Sequence, residues 1–536
     1  MRMLYVLMLF TAISNAQFYG PDDFRISDAG GFGNNLIAVD FPDMAYNPVT
    51  QNYLVVWESD DTDQIGVVDN NTQIVGRFVD LNGVILGNDF LISSLNLGDN
   101  MLTNTRPRVA YNSVDNNFMV VYEAEFMIDR REIFGVIVDA NGVITTPDFR
   151  ITSTSNAINP TIKSRTPAIS YNPVLNEYFM VYVYVIESTP TMPGTVEIEG
   201  QRISSNGALL GSTIFITDSS TGAQTNSSIP DVIFNSQTNE YVVTYSASPL
   251  PLEEEAYVTI VSQNGTVGIA TQISNRGSIS NVAFGAIMVR AAWDQINNQY
   301  LFVYESPNNS ANEFDVFGVI YDNTMNVVVP EFEISMVAGS STTNDAVTPD
   351  VEWLPGDNNY YVVFRANPFF TNRNEVEIFM RSVSNTGTVG TNLLRVSSAP
   401  VDEAGSARFP RILSNGNSAL LTVYAAEDTS PASMMVDREY EIYGQFYGSP
   451  TLSVASNNDQ VLSVFPNPVA NTLAIDSNSE TLLSYSICNV MGKEVIAAET
   501  DVSGIQIIDL SKLSAGLYFL NVTTDSRTEV HKILKK

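Results

Sequence analysis

The sequence predicts an all-β protein: a seven-bladed β-propeller closed by an N-terminal strand, followed by a small immunoglobulin-like β-sandwich. Three observations carry this. One motif recurs seven times at intervals of about 60 residues, a period that marks a repeat architecture. Each copy holds short segments that alternate apolar and polar residues and are rich in Val, Ile, Tyr and Phe, the signature of strands. The last copy is one strand short, and a segment of the missing type stands near the N-terminus.

The repeat reads P-x-V-x-Y-N-P-x-x-N-x-Y-x-V-V-Y, then an acidic loop, then I-x-G-x-x-x-D-x-N-G, then F-x-I-S. Copies open at Pro42, Pro107, Pro167, Pro230, Val289, Pro349 and Pro410. In the second copy the strand segments are Arg108–Tyr111, Phe118–Tyr122, Ile133–Asp139 and Asp148–Thr152. Tyr46-Asn47-Pro48 and Tyr171-Asn172-Pro173 break the first strand from the second. Asn82-Gly83, Asn141-Gly142, Asn206-Gly207 and Asn264-Gly265 separate the third from the fourth, where Asn-Gly supplies the positive φ of a two-residue hairpin turn. The seventh copy offers Arg411–Leu413, Ala419–Ala426 and Tyr440–Tyr447, and the F-x-I-S strand it lacks is Phe24-Arg25-Ile26-Ser27. Joining that strand to the last blade closes a ring and removes an open sheet edge. The links from strand two to three and from four to the next blade are long and fall on one face, which is the expected binding surface.

The chain has 536 residues, 44% of them hydrophobic, and a net charge of −33. Residues 17–450 hold 50 Asp and Glu against 19 Lys and Arg, with Lys163 the lone lysine of that span. Such a surface repels phosphate backbones and anionic lipid, so nucleic acid is excluded as a partner. Cys488 and His531 are single and lie outside the repeats. The repeats therefore hold no Ser-His-Asp triad, Cys-His pair or His-ligated metal, and no disulfide forms within the chain.

Residues 1–16 have the form of a secretory signal peptide: Arg2, the apolar run Leu4–Ile13, and small residues before a cleavage between Ala16 and Gln17. No segment is long enough for an apolar helix to span a membrane. The expected domains are the propeller at 17–448, a Ser/Asn-rich linker at 449–460 and a second β-domain at 461–536. That last segment carries Val464-Phe465-Pro466-Asn467-Pro468, then Asn489-Val490-Met491-Gly492-Lys493, then Asp509-Leu510-Ser511 through Ala515-Gly516-Leu517-Tyr518, and ends on Lys532-Ile533-Leu534-Lys535-Lys536. It resembles the C-terminal sorting domain of the type IX secretion system of Bacteroidetes, with Pro466, Asn467, Pro468, Gly492, Gly516 and Lys532 on the family's motifs. Asn489 replaces the family's usual aspartate. The resemblance implies the type IX machinery as partner, export across the outer membrane, removal of the domain at or near Ser449–Asp459, and release or attachment at the cell surface.

Three patterns are candidate sites. The residue after each opening position is Asp43, Arg108, Ala168, Asp231, Arg290, Asp350 and Arg411; apart from Ala168, acids and bases alternate, and they are expected to pair between neighbouring blades around a central channel. Trp57-Glu58, Tyr122-Glu123 and Tyr304-Glu305 end strand two; an aromatic face with a carboxylate suits a sugar, although the aromatic also suits a core, and Glu58, Glu123 and Glu305 are the candidate ligand-binding groups. Asp60, Asp61 and Asp63 cluster in the first long loop and suit calcium, the one cofactor considered, without matching an EF-hand. No catalytic constellation is recognisable. The expected function is a secreted or surface-displayed binding or adhesion protein, its ligand a polysaccharide or other cell-surface molecule. The alternatives are a carboxylate-based glycan hydrolase or lyase and a structural surface component without a small ligand.

Overall fold

The computed structural model describes residues 17–29, 39–61, 64, 67, 71–99, 101–154, 162–188, 194–218, 225–250, 253–276, 285–308, 313–337, 345–367, 376–397, 406–427, 440–448, 463–489, 493–524 and 528–536. The expected signal peptide and linker lie outside these residues, as does most of the face expected from the long links. The chain divides into two compact units, Met1–Thr451 and Leu452–Lys536. Every regular element among the described residues is a strand. Among the described residues no helix is long and apolar enough to cross a membrane.

The first unit holds seven four-stranded antiparallel sheets. The first sheet runs Val39–Asn47, Asn52–Ser59, Gln73–Asp80 and Ile85–Leu91 in spatial order. The next five repeat this order. In the seventh, Ala407–Ser414, Ala419–Ala426 and Glu441–Gly448 are completed by Gln17–Arg25, with Gln17 opposite Gly448 and Arg25 opposite Tyr443. Second strands are buried on both faces, which is why they read as continuous apolar runs such as Tyr53-Leu54-Val55-Val56-Trp57 rather than as strict alternations. Their side chains build seven separate cores, each shared by two consecutive sheets. One of these joins the seventh sheet to the first, through Val423, Ile442 and Phe446 on one side and Met44, Tyr53 and Trp57 on the other.

The repeated residues have assignable work. The Asn of Y-N-P is an Asx turn: Asn47 Oδ1 accepts from the N–H groups of Val49 and Thr50, while its Nδ2 donates to Asn116 Oδ1 of the next sheet at 2.9 Å. Asn112 and Asn235 repeat the bond to Asn176 and Asn298. The acceptor Asn residues hold the left-handed φ, 51° at Asn116 and Asn176, a conformation asparagine tolerates better than most. The Asn-Gly loops differ from the expected two-residue turn. Gly83 donates to Asp80 O, and Asp80 N donates to Val84 O. Only Gly83 is left-handed (φ 79°), so the loop is a three-residue connection with a glycine bulge. The glycine of I-x-G has another cause: a Cβ on Gly444 would stand 2.7 Å from the Phe24 ring, and one on Gly135 2.6 Å from Phe149. In these two sheets the Phe of F-x-I-S packs against that glycine, while at Gly76 and Gly318 the Ile of the motif comes nearest.

The final Ser or Thr of F-x-I-S forms a relay at the start of strand three. In the fifth sheet Val316 N donates to Ser335 Oγ at 3.0 Å, and Ser335 donates to Asp315 at 2.6 Å. Equivalent pairs are Ser93–Gln73, Thr152–Glu132, Thr217–Glu197, Ser274–Glu255 and Ser397–Glu377. The seventh is Ser27–Glu441, formed between the two ends of the unit, with Ile442 N donating to Ser27 Oγ at 2.7 Å.

The second unit is one five-stranded sheet in which Thr472–Asn489 pairs with Ser463–Phe465 at one end, Gly516–Thr524 at the other and Glu494–Asp509 along its length. Its register shifts at Asp476/Thr481 and Leu482/Ser484. The core is Leu473, Ile475, Leu482, Ile487, Leu520, Val522 and Ile533 with their neighbours.

Candidate ligand-binding site

Every first strand in the first unit carries a register shift just before the residue that the sequence singles out, from Asp40/Asp43 in the first sheet to Arg408/Arg411 in the seventh. The residue at the bulge is left-handed each time: Phe41, Arg106, Thr166, Ile229, Met288, Thr348 and Phe409, with φ between 49° and 56°. Such φ values are uncommon for any non-glycine residue and costly for β-branched Thr and Ile. At three of the bulges the cost is offset by a clasp from the neighbouring sheet. Glu58 Oε2 accepts from Arg106 N at 2.7 Å, Glu123 Oε2 from Thr166 N at 3.1 Å, and Glu305 Oε2 from Thr348 N. These are the three carboxylates singled out as sugar ligands. Glu123 also pairs with Arg131 and Arg165. Burial pushes Glu58 and Glu305 up to about 7 despite the backbone N–H each accepts. Their aromatic neighbours Trp57, Tyr122 and Tyr304 are buried in the cores between sheets.

The bulges turn their side chains toward one cavity of about 270 Å³, near the lower end of the roughly 300–1,000 Å³ of ligand pockets. Its wall is apolar, made of the bulge residues and the prolines after them. Phe41 and Phe409 stack with ring centroids 4.2 Å apart. The Arg106 guanidinium lies 5.2 Å from the Phe41 centroid and donates to Thr166 Oγ1 at 3.0 Å. The bulges stand at the end of the first strands that receives the long links, so the cavity lies on that side.

The alternating charges form the floor. Arg411 reaches Asp350 at 3.6 Å and Asp43 at 3.9 Å; Arg290 reaches Asp231 at 3.8 Å and Asp350 at 4.0 Å. Asp43 and Asp350 also accept the N–H groups of Val109 and Ile412. Burial draws the Arg411 guanidinium down, but Asp350, Asp43 and Asp231 together hold it above its ordinary value. Arg108 differs. Ala168 stands where its second acid would be, and among the described residues it has no ion pair within 4.0 Å. Its Nη1 donates weakly to Pro107 O at 3.4 Å and its buried Nε has no partner. Burial and the nearby Arg411 pull it down to about 9. Arg108 and Arg411 also line a second cavity of about 140 Å³ beyond the floor, which includes Glu352.

Asp60 and Asp61 are buried, and Asp63 lies outside the described residues. Among the described residues no group of three or more His, Cys, Asp or Glu side chains is placed to hold a metal ion.

In the second unit Asn467, between the two prolines, ties the opening segment to the last strand. Its Nδ2 donates to Lys532 O at 2.6 Å and its Oδ1 accepts from Leu534 N at 2.9 Å. Gly516 opens the strand paired with that last strand, and Gly492 lies outside the described residues. Residues 463–536 match the family of secretion system C-terminal sorting domains. The tail is a secretion sorting domain. Its type IX address marks the protein for export, to be secreted or attached at the surface, and the sorting domain's partner is the type IX machinery.

No curated protein matches the chain. Among solved structures it is similar to a protein of unknown function from Dyadobacter fermentans (9% identity, 80% of this chain and 100% of that one, TM-score 0.45). A polysaccharide lyase, the PL25 ulvan lyase, gives 8% identity over 81% and 96% with a TM-score of 0.47. An α-L-arabinanase of Penicillium chrysogenum gives 11% over 64% and 92% with a TM-score of 0.42. At these values the likenesses assign no function.

Proposed function

We propose that the seven sheets are the blades of a closed seven-bladed propeller, and that it is a secreted or surface-displayed binding protein whose ligand enters the cavity framed by the blade bulges. Closure is supported by the Gln17–Arg25 strand in the seventh sheet and by the core that joins the seventh sheet to the first. The observation that carries the binding reading is the cavity wall. All seven repeats spend a strained residue there, yet the residues differ, so the cavity combines stacked Phe41 and Phe409 with Met288 and Ile229 on one scaffold. Aromatic faces beside hydrogen-bonding groups suit the CH faces and hydroxyls of a surface glycan. Carboxylate-based hydrolysis needs two acids facing the substrate. The described wall residues include none, and Glu58, Glu123 and Glu305 are engaged behind the bulges.

Glycan-array binding by the full chain tests this, run beside a Phe41→Ala/Phe409→Ala variant. Binding by the wild type that the variant loses supports the reading. Equal binding by both places the ligand elsewhere, and release of shortened or unsaturated sugars from bound polysaccharide would replace a binding protein with a hydrolase or lyase.

A further inference from the structure

We propose that the cavity selects a small organic anion: one carboxylate on a ring-sized body with an apolar face, the carboxylate meeting Arg108 and the body lying against Phe41 and Phe409. This rests on the reading of the cavity as the ligand site and adds the class of ligand.

The floor pairs its charges unevenly. Three arginines and three aspartates alternate around it, and the position that would hold the seventh charge is Ala168. Arg290 and Arg411 each have two aspartates within 4.0 Å. Arg108 has none that close, with Asp43 and Asp231 acting on it only from farther away, and its buried Nε, like that of Arg290, donates to nothing. A buried guanidinium short of acceptors is costly to hold, and an incoming carboxylate supplies two acceptor oxygens in the geometry its planar fork prefers. Arg106, also without an ion pair among the described residues, adds a second positive charge at the wall, above Phe41. The other described wall residues are apolar apart from Thr166 and Thr348, and none is an acid. In a protein with a net charge of −33, a cavity whose charged lining residues are arginines, with the floor aspartates drawn to Arg290 and Arg411, is locally less negative than the rest of the surface, and it favours the ligand sign that the rest of the molecule repels.

The test is isothermal titration of the full chain with D-glucuronate and benzoate, each beside its neutral counterpart, D-glucose and benzyl alcohol. The expected result is at least tenfold tighter binding of one anion than of its neutral counterpart; which anion leads says whether the body is a sugar acid or an aromatic acid. Arg108→Gln is expected to erase that preference. Ala168→Asp, which gives Arg108 an acid on the neighbouring sheet, is expected to erase it as well, while Ala168→Ser keeps it. Melting temperatures confirm that each variant is folded. If a variant fails to fold, the wild-type preference for the anion still decides. Equal affinity for anion and neutral counterpart, or an undiminished preference in folded Arg108→Gln, overturns the proposal. Array binding that depends on Phe41 and Phe409 without charge preference would sink this inference and leave the binding reading standing; array binding indifferent to both residues would remove the binding reading too.

Discussion

Removing the Ser27 hydroxyl examines ring closure with a single atom. Ser27 Oγ accepts from Ile442 N at 2.7 Å and donates to Glu441, whose side chain is fully buried. Ser27→Ala leaves that N–H without its partner and takes one donor from a carboxylate that keeps Arg25 and the Ala29 N–H. An unsatisfied buried group costs about 1–3 kcal/mol, so the two losses sum to about 2–4 kcal/mol, or between one and three decades in the unfolding constant. The internal control is Ser335→Ala, which breaks the same relay with Asp315 and Val316 inside one sheet. Urea unfolding of the full chain, followed by the fluorescence of Trp57, Trp293 and Trp353 in three different cores between sheets, measures both. A closed ring makes the two losses equal to within about 1 kcal/mol. A loss under about 0.5 kcal/mol for Ser27→Ala beside about 2 kcal/mol or more for Ser335→Ala would refute the reasoning, because the N-terminal strand would then add nothing to the cooperative unit.

Further outcomes follow from the same contacts. Burial raises Glu58, Glu305, Glu377 and Glu441 to about 7 and Glu352 to about 8. The fold therefore prefers their protonated forms, and the stability this contributes is complete below the unfolded carboxyl value and is lost as pH rises through about 7. Calorimetry should show the melting temperature falling between pH 5 and pH 8; a flat or rising profile contradicts the raised values. Gly444→Ala drives a Cβ to 2.7 Å from the Phe24 ring and should lower stability by about 1–3 kcal/mol, measured by urea midpoint. Asn467→Ala removes both bonds to the last strand of the sorting domain and should cost that domain about 1–3 kcal/mol; fractionation of producing cells should find the variant retained inside the outer membrane, and unimpaired export would separate the motif from its structural role.

Much of the strand layout is legible because the repeat states it seven times. Alternation marks the strands, Asn-Pro and Asn-Gly mark the turns, and Phe24-Arg25-Ile26-Ser27 announces the seventh sheet's missing strand. The relay from Ser335 to Asp315 is less visible, since strand patterning says nothing of which buried polar groups satisfy each other. The bulges escape for a sharper reason. Thr166, Ile229 and Thr348 are β-branched, and no local preference puts such residues at positive φ; at Thr166 and Thr348 a carboxylate of the neighbouring sheet holds it. The sequence therefore points to the charged positions two residues after the bulges and to Glu58, Glu123 and Glu305 at the ends of the second strands. One signal was available. The residue before each opening position, Phe41, Arg106, Thr166, Ile229, Met288, Thr348 and Phe409, changes chemistry from copy to copy inside a frame that hardly changes, as expected of positions that face a ligand rather than a core.

Hydrogen exchange by mass spectrometry on the full chain, with and without a saturating concentration of its strongest array ligand, tests the central claim that the ligand sits in the cavity of the blade bulges. Protection is expected in the first strands, around Phe41, Arg106, Thr348 and Phe409, with the outer strands Ile85–Leu91 and Val327–Glu333 unchanged. Protection confined to those outer strands or to the sorting domain, with the bulge amides unaffected, would contradict it.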